Sequence, residues 1–439
     1  MSFVLFLTYV VLNFLRPWEL SPSTASLPIM KVVAVVAILT TLGKVLLRGG
    51  PTARAPQAYL VVLFILWILF SFLAATGWLR RAFEVAELVQ PLLLLFFLTF
   101  LNVDTVAKLR TTAVTLMLVG TFLAAQSVFA YYTGYMSSIF LLGPTQSEDE
   151  EFSSADSPAY EAPEGAVIRV RSIGTLNDPN DFAQALVTFA GLLSALRIRG
   201  RRVLNTLLVW MPLGVMVYGV ALTRSRSGLL ALLSLFFFAF RHRLGKLLSL
   251  TLAAGFAFGL LALGFTGGRE MSMDESSQGR IGAWYEGIQM LKGSPIWGVG
   301  YGNFREGSVL VAHNSFVHCF AETGLVGYFL WLGLITLTLG EVLAVSKRGQ
   351  EGPEMAELAP WGRALHLSLV SFLTAALFLS RTYSPVLFLI LGLGTAVSDM
   401  ARRHDKVAHG TTLMGWVPRI VGLEAVSIFV VWLSVRSVG

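Results

Sequence analysis

The chain has 439 residues, 55% of them hydrophobic and only 13% charged, with a mean hydropathy of +0.69. Soluble domains carry about 25% charged residues, so this composition excludes an ordinary soluble globular protein. The net charge of +7 is not gathered into a basic, aromatic-interleaved domain, which excludes nucleic-acid binding, and one cysteine, Cys319, excludes an internal disulfide framework.

Apolar runs recur along almost the whole length, each in the range of about 18–25 residues that crosses a hydrocarbon core of about 30 Å. Lipid cannot satisfy free backbone N–H and C=O groups, so the runs predict helices. The fold class is therefore an all-α polytopic membrane protein with about 12–13 transmembrane helices. The predicted spans are residues 3–15, 26–47, 58–76, 84–102, 110–132, 180–196, 203–222, 227–240, 246–266, 315–343 (with a possible break), 362–379 and 384–399, and a last amphipathic or spanning segment covers 414–435. The first run lacks a basic leader, and Arg16-Pro17-Trp18 is a poor cleavage site, so it reads as a retained helix.

Six loops carry the cations: Lys44, Arg48 and Arg54; Lys108 and Arg110; Arg197, Arg199, Arg201 and Arg202; Arg241, Arg243 and Lys246; Lys347 and Arg348; Arg402, Arg403 and Lys406. With these spans all six fall on one side, which the positive-inside rule makes cytoplasmic, with the N-terminus inside. The chain then divides into N-terminal transmembrane helices (1–133), an acidic outer loop (134–179), central helices (180–266), a second outer loop (267–314) and C-terminal helices (315–439). The run Glu148-Asp149-Glu150-Glu151 in the first outer loop reads as a solvated tip rather than a metal site.

Arginines on the outer side run against that bias: Arg16, Arg80, Arg81, Arg169, Arg171, Arg224, Arg226, Arg280, Arg305 and Arg381. Charges at a membrane edge are costly and point to function, and the planar guanidinium suits bidentate phosphate binding. Arg16 and Arg305 read best as headgroup-facing. Arg224 and Arg226 share the short turn Thr223-Arg224-Ser225-Arg226-Ser227-Gly228, and Arg226 is favoured as the anion ligand because Ser227-Gly228 lets the backbone approach closely. Asn177-Asp178-Pro179-Asn180-Asp181 reads as a capped helix start.

The second outer loop carries the chemistry. Gly279-Arg280-Ile281-Gly282-Ala283-Trp284 opens a helical stretch, followed by Pro295-Ile296-Trp297-Gly298-Val299-Gly300-Tyr301-Gly302, whose alternating glycines mark a tight loop. Ala312-His313-Asn314-Ser315 then leads into a span with Glu322 about two turns in and Gly324 and Gly327 beyond. A histidine near neutrality is the natural general base for a hydroxyl nucleophile, so His313 is the candidate catalytic residue. His318 reads as a polar helix-packing residue. Trp284, Gly300, Tyr301, Asn314 and Glu322 are candidates for shaping the loop around His313, and no metal site is expected.

These residues, in this order and over roughly 169–330, resemble the bacterial O-antigen ligase/polymerase family: Ser-Arg-Ser-Gly, Arg280-x-x-x-Trp284, Pro295-x-x-Gly298-x-Gly300-x-Gly302-x-Phe304, His313-Asn314-Ser315 and Glu322-x-Gly324-x-x-Gly327. The resemblance implies a GT-C-like membrane glycosyltransferase of the bacterial inner membrane, working at its periplasmic face without a cofactor. It implies an undecaprenyl-pyrophosphate-linked glycan as donor and lipid A-core, a growing glycan (an O-antigen or exopolysaccharide) or protein as acceptor. It assigns the catalytic histidine to His313 and the pyrophosphate arginines to Arg226 and Arg280, with Arg171, Arg224, Arg80 and Arg81 as weaker matches. Two other readings stand beside a ligase: a polymerase of the same family, and a transporter or flippase for a lipid-linked oligosaccharide, which needs charges at mid-depth and repeat symmetry.

Overall fold

The computed structural model describes residues 1–20, 22–25, 27–48, 55–143, 168–262, 273–308, 310–404 and 413–437. Among the described residues the predicted spans fall on the helices Ser2–Leu15, Ile29–Arg48, Pro56–Thr76, Leu79–Asn102, Val106–Thr133, Pro179–Leu196, Met211–Leu222, Arg226–Ala262 (which carries both 227–240 and the described part of 246–266), Ser315–Lys347, Pro353–Ala376, Pro385–His404 and Leu413–Arg436. Among the described residues nine helices are long and apolar enough to cross a membrane. The molecule is an all-α polytopic membrane protein.

Local chemistry sets the ends and breaks. Asp178 and Asn314 sit in extended backbone just before their helices, and their side-chain oxygens accept from the first free amides. Gly77 and Gly134 end their helices in the left-handed conformation. The π-turn Thr206–Trp210 precedes Met211–Leu222, where Pro212 lacks the N–H that a continuous ladder would need. Gly245 interrupts Arg226–Ala262, at the basic turn where two spans are expected to meet. Gly324 does the same in Ser315–Lys347.

The chain forms two compact units. The first comprises Met1–Gly50, Leu101–Arg269 and Ala359–Ala375. Here Val106–Thr133 packs against Pro179–Leu196, Met211–Leu222 and Ser2–Leu15, and Arg226–Ala262 packs against Pro179–Leu196. At one end Lys44 and Lys108 both grip Asp104 at 2.6 Å. Burial alone would raise that carboxyl, but the two lysines more than offset it and hold Asp104 below the usual carboxylate range. At the opposite end the segment expected as a plain loop holds a helix turn, Ser137–Phe140, and a two-residue antiparallel pairing of Leu141 with Val170 and Leu142 with Arg169. The acidic run Glu148–Glu151 lies outside the described residues.

The second unit comprises Pro51–Phe100, Glu270–Leu358 and Ala376–Gly439. Its axis is Ser315–Lys347, which packs against Pro56–Thr76, Pro385–His404, Leu413–Arg436 and the helix Met273–Gly293. One end is closed by Glu341, which accepts from Gln57 Nε2 at 2.6 Å and is paired with Arg402. The loops around residues 77, 294–314 and 377–384 gather at the other end, where Ser71, Arg81 and Ser315 each contact one of the other segments.

Candidate functional site

His313 lies in the second unit, immediately before the helix Ser315–Lys347, and its backbone is left-handed, with φ +46°. This conformation is uncommon for a residue with a Cβ and persists where neighbours hold it. They do so on both sides. Before it, the buried Ala312 carbonyl accepts from Trp284 Nε1 at 3.0 Å. After it, Asn314 Oδ1 accepts from the amides of Phe316 (2.9 Å) and Val317 (3.2 Å). Ser315 then ties the turn to a further segment. Its hydroxyl donates to the Leu379 carbonyl at 2.6 Å and accepts from the Arg381 amide at 2.8 Å, while Thr382 Oγ1 donates to the Ser315 carbonyl at 2.8 Å.

Trp284 and Arg280 are four residues apart on Met273–Gly293, and residues so spaced share one helix face. Because Trp284 reaches Ala312, that face is the one turned toward the His313 segment. Arg280 is half-buried there. A largely apolar cavity of about 530 Å³ opens on another face of this helix, lined by Gly279, Gly282, Ala283, Tyr285, Leu310 and Val435, with neither Arg280 nor Trp284 in its lining.

The glycine pattern follows from the helix break at Gly324. Interrupting the helix leaves the carbonyls of Ala321 and Glu322 without their usual partners four residues on. The loop supplies them: Val299 N donates to Ala321 O and Gly300 N to Glu322 O, both at 2.9 Å, and Leu325 N donates back to the Pro295 carbonyl at 2.8 Å. Ser71 Oγ and Trp67 Nε1 complete the set, donating to the Trp297 carbonyl at 2.5 Å and the Thr323 carbonyl at 2.8 Å. So close a backbone approach leaves no room for a side chain. A Cβ on Gly298, which has φ +72°, would stand 2.5 Å from the Glu322 carbonyl, and one on Gly324 would overlap the Ile296 carbonyl oxygen.

Tyr301 follows in this loop, 4.7 Å ring to ring from Tyr383. Burial, and then the Glu322 carboxylate, push the Tyr301 phenol up to about 12. Glu322 is 1% exposed, and its Oε1 accepts from Gly302 N at 3.0 Å and Phe304 N at 3.4 Å. Arg80 and Arg81 stand exposed in the first turn of Leu79–Asn102, and Arg81 reaches Glu306 at 3.6 Å.

The remaining candidates belong to the first unit. Arg224 takes a left-handed turn, with φ +54°, and Ser225 caps the next helix by accepting from Gly228 N at 3.1 Å. Arg226 is exposed in the first turn of that helix, where the free amides and dipole favour anions. Gly228 serves helix packing rather than ligand approach: a Cβ there would be 2.5 Å from Ala183. Arg171 differs from the other arginines. It is 5% exposed and donates Nε to Ile139 O and Nη2 to Ser138 O, each at 3.0 Å. Arg169 is spent similarly, on the Thr223 carbonyl and Asn180 Oδ1. Arg16, expected at the headgroups, pairs with Glu19 at 2.9 Å.

Two residues gain importance over their sequence reading. Arg381, one of the outer-side arginines but given no site role, has its backbone on Ser315, two residues from His313. His318, expected as a packing residue, faces Glu322 with Nε2 3.1 Å from Oε1. The signal for the first was its charge against the orientation bias; for the second it was the four-residue spacing to Glu322. Among the described residues no three His, Cys, Asp or Glu side chains gather to share a metal ion.

Residues 211–332 match a protein-family model described as O-Antigen ligase. That stretch contains His313, Arg224, Arg226, Arg280, Trp284, Gly300, Tyr301, Asn314 and Glu322, while Arg80, Arg81 and Arg171 fall outside it. No curated protein matches the chain.

Proposed function

From the O-antigen ligase domain at residues 211–332 we propose that this membrane protein is a glycosyltransferase that moves a glycan from undecaprenyl pyrophosphate to an acceptor hydroxyl at the periplasmic face of the bacterial inner membrane. The observation that carries the reading is the His313 turn: a histidine in a left-handed backbone conformation, in a segment that Trp284 ties to the helix face also carrying Arg280. His313 takes the proton from the acceptor hydroxyl as its oxygen attacks the anomeric carbon. The bond from that carbon to the pyrophosphate oxygen breaks, and the configuration inverts. Undecaprenyl pyrophosphate leaves as an anion, so Arg280 stabilises charge that develops during the reaction, where fixed donors are most effective. The reaction so written calls for no metal, because the guanidinium neutralises the leaving group.

Arg224 and Arg226 are the anion-binding candidates of the first unit, with Arg226 favoured for its exposed place at a helix N-terminus. Arg80 and Arg81 come next. Arg171 is last, since its donors already serve the protein.

The test is transfer by purified protein, incubated with lipid-linked glycan and separate acceptors, lipid A-core or a growing glycan, with and without a chelator. The expected result is an acceptor mass shift that survives chelation. His313→Ala should lower the rate by about 10²–10⁴-fold, the usual range for a general base. The acceptor that shifts distinguishes ligase from polymerase. An unimpaired His313→Ala enzyme would overturn the assignment of the base, and donor crossing a proteoliposome bilayer without any transfer would establish the transporter reading instead.

A further inference from the structure

We propose that Glu322 and His318 form a positioning pair that holds the glycine-rich loop and the 379–383 turn in the arrangement His313 needs; the inference rests on His313 being the base. Glu322 is almost fully buried, and it binds the loop through both its side chain and its backbone. Its Oε1 accepts from Gly302 N and Phe304 N, and its carbonyl accepts from Gly300 N at 2.9 Å. One residue thus fixes three of the five residues from 300 to 304. A buried carboxylate is costly unless it is engaged, and here Oε1 takes all of that engagement while Oε2 is buried without a hydrogen-bond partner among the described residues, so the loop amides and Oε1 depend on each other.

His318 extends the arrangement to the other side. Its Nε2 meets Glu322 Oε1 at 3.1 Å, and its Nδ1 meets Thr382 Oγ1 at 3.3 Å. Thr382 is the residue whose hydroxyl donates to the Ser315 carbonyl, and its own carbonyl accepts from Trp331 Nε1 at 3.2 Å. The ring is bounded by Phe304 at 6.0 Å and Tyr383 at 5.5 Å, both edge-on. With both nitrogens engaged and aromatic rings around it, His318 is not placed to take a proton from a substrate. What it can do is lock the spacing between two segments that meet at the first turn after His313. The buried Tyr383 phenol borders the same carboxylate; burial and the Glu322 charge push it well above its usual range, so it stays neutral.

Hydrogen exchange on the full-length protein, with kinetics on the same preparations, tests this. In Glu322→Ala, amides of residues 299–304 should exchange at least about tenfold faster, while Pro385–His404 stays as protected as in wild type. The kcat should fall about 10–100-fold with the donor KM within about threefold, the pattern of a lost transition-state arrangement. Glu322→Gln keeps an acceptor oxygen and should protect the loop nearly as wild type does. His318→Gln keeps an N–H facing Glu322 and should retain activity that His318→Ala loses. Unchanged exchange at 299–304 in both Glu322→Ala and His318→Ala would overturn the proposal, as would a His318→Gln enzyme no better than His318→Ala. Should Glu322→Ala not fold, the His318→Ala exchange decides alone. The exchange readout does not depend on turnover, so it separates this inference from the assignment of His313 as base.

Discussion

The bond from Trp284 to Ala312 offers a clean way to ask whether the backbone of His313 matters to function. Trp284→Phe keeps an aromatic ring on the helix but removes the one N–H that reaches the Ala312 carbonyl. Ala312 is fully buried, so the carbonyl has no water to turn to. Leaving such an acceptor unsatisfied costs about 1–3 kcal/mol. The left-handed conformation of His313 itself costs a non-glycine residue about 1–3 kcal/mol, a comparable amount. Loss of the bond should therefore let the turn relax, and every 1.4 kcal/mol of bias against the competent form is about tenfold in population. We expect kcat to fall between about fivefold and 150-fold, the range that 1–3 kcal/mol spans. The melting temperature should fall only modestly, because one hydrogen bond is lost while the aromatic ring stays in place. Initial rates of glycan transfer at saturating donor and acceptor, with a thermal melt on the same sample, give both numbers. A Trp284→Phe protein with wild-type kcat would refute the claim that this bond maintains the turn proposed to carry the base.

Three further outcomes follow from the geometry. Gly298→Ala should abolish transfer and lower the melting temperature, because its Cβ would meet the Glu322 backbone and its φ is left-handed; a stable, active Gly298→Ala protein would show that the loop crosses the helix differently. Arg171→Ala should act on stability first, lowering the melting temperature while donor KM in the surviving protein stays close to wild type; a large KM change with an unaltered melt would return Arg171 to the substrate. Tyr301 has a folded pKa raised above the unfolded value of about 10. Its contribution is thus complete below about pH 10 and is lost as pH rises toward 12, so wild type should lose stability relative to Tyr301→Phe across that window, as chemical denaturation at stepped pH would register.

Features governed by short-range periodicity and by the membrane are legible in the chain alone. Runs of apolar residues must become helices because lipid leaves the backbone no other partner, and among the described residues the predicted spans fall on helices. The caps at Asp178 and Asn314, the break at Gly324 and the helix carrying Arg280 and Trp284 are also local, written within a few residues of where they act. How the polar groups are spent emerges from long-range packing. Arg171 and Arg226 look alike in sequence, both outer-side arginines near a turn, yet one is buried on the Ser138 and Ile139 carbonyls and the other is exposed at a helix start. The glycines at 298, 300 and 302 read as a ligand-approaching loop, but at Gly298 the space is taken by the backbone around Glu322, more than 20 residues on. His318 reads as packing until Thr382 and Glu322 are seen on either side of its ring. Such assignments depend on which distant donor meets which acceptor. A hydrogen bond is set by geometry at about 3 Å, and no pattern along the chain encodes the distance between residues 60 positions apart.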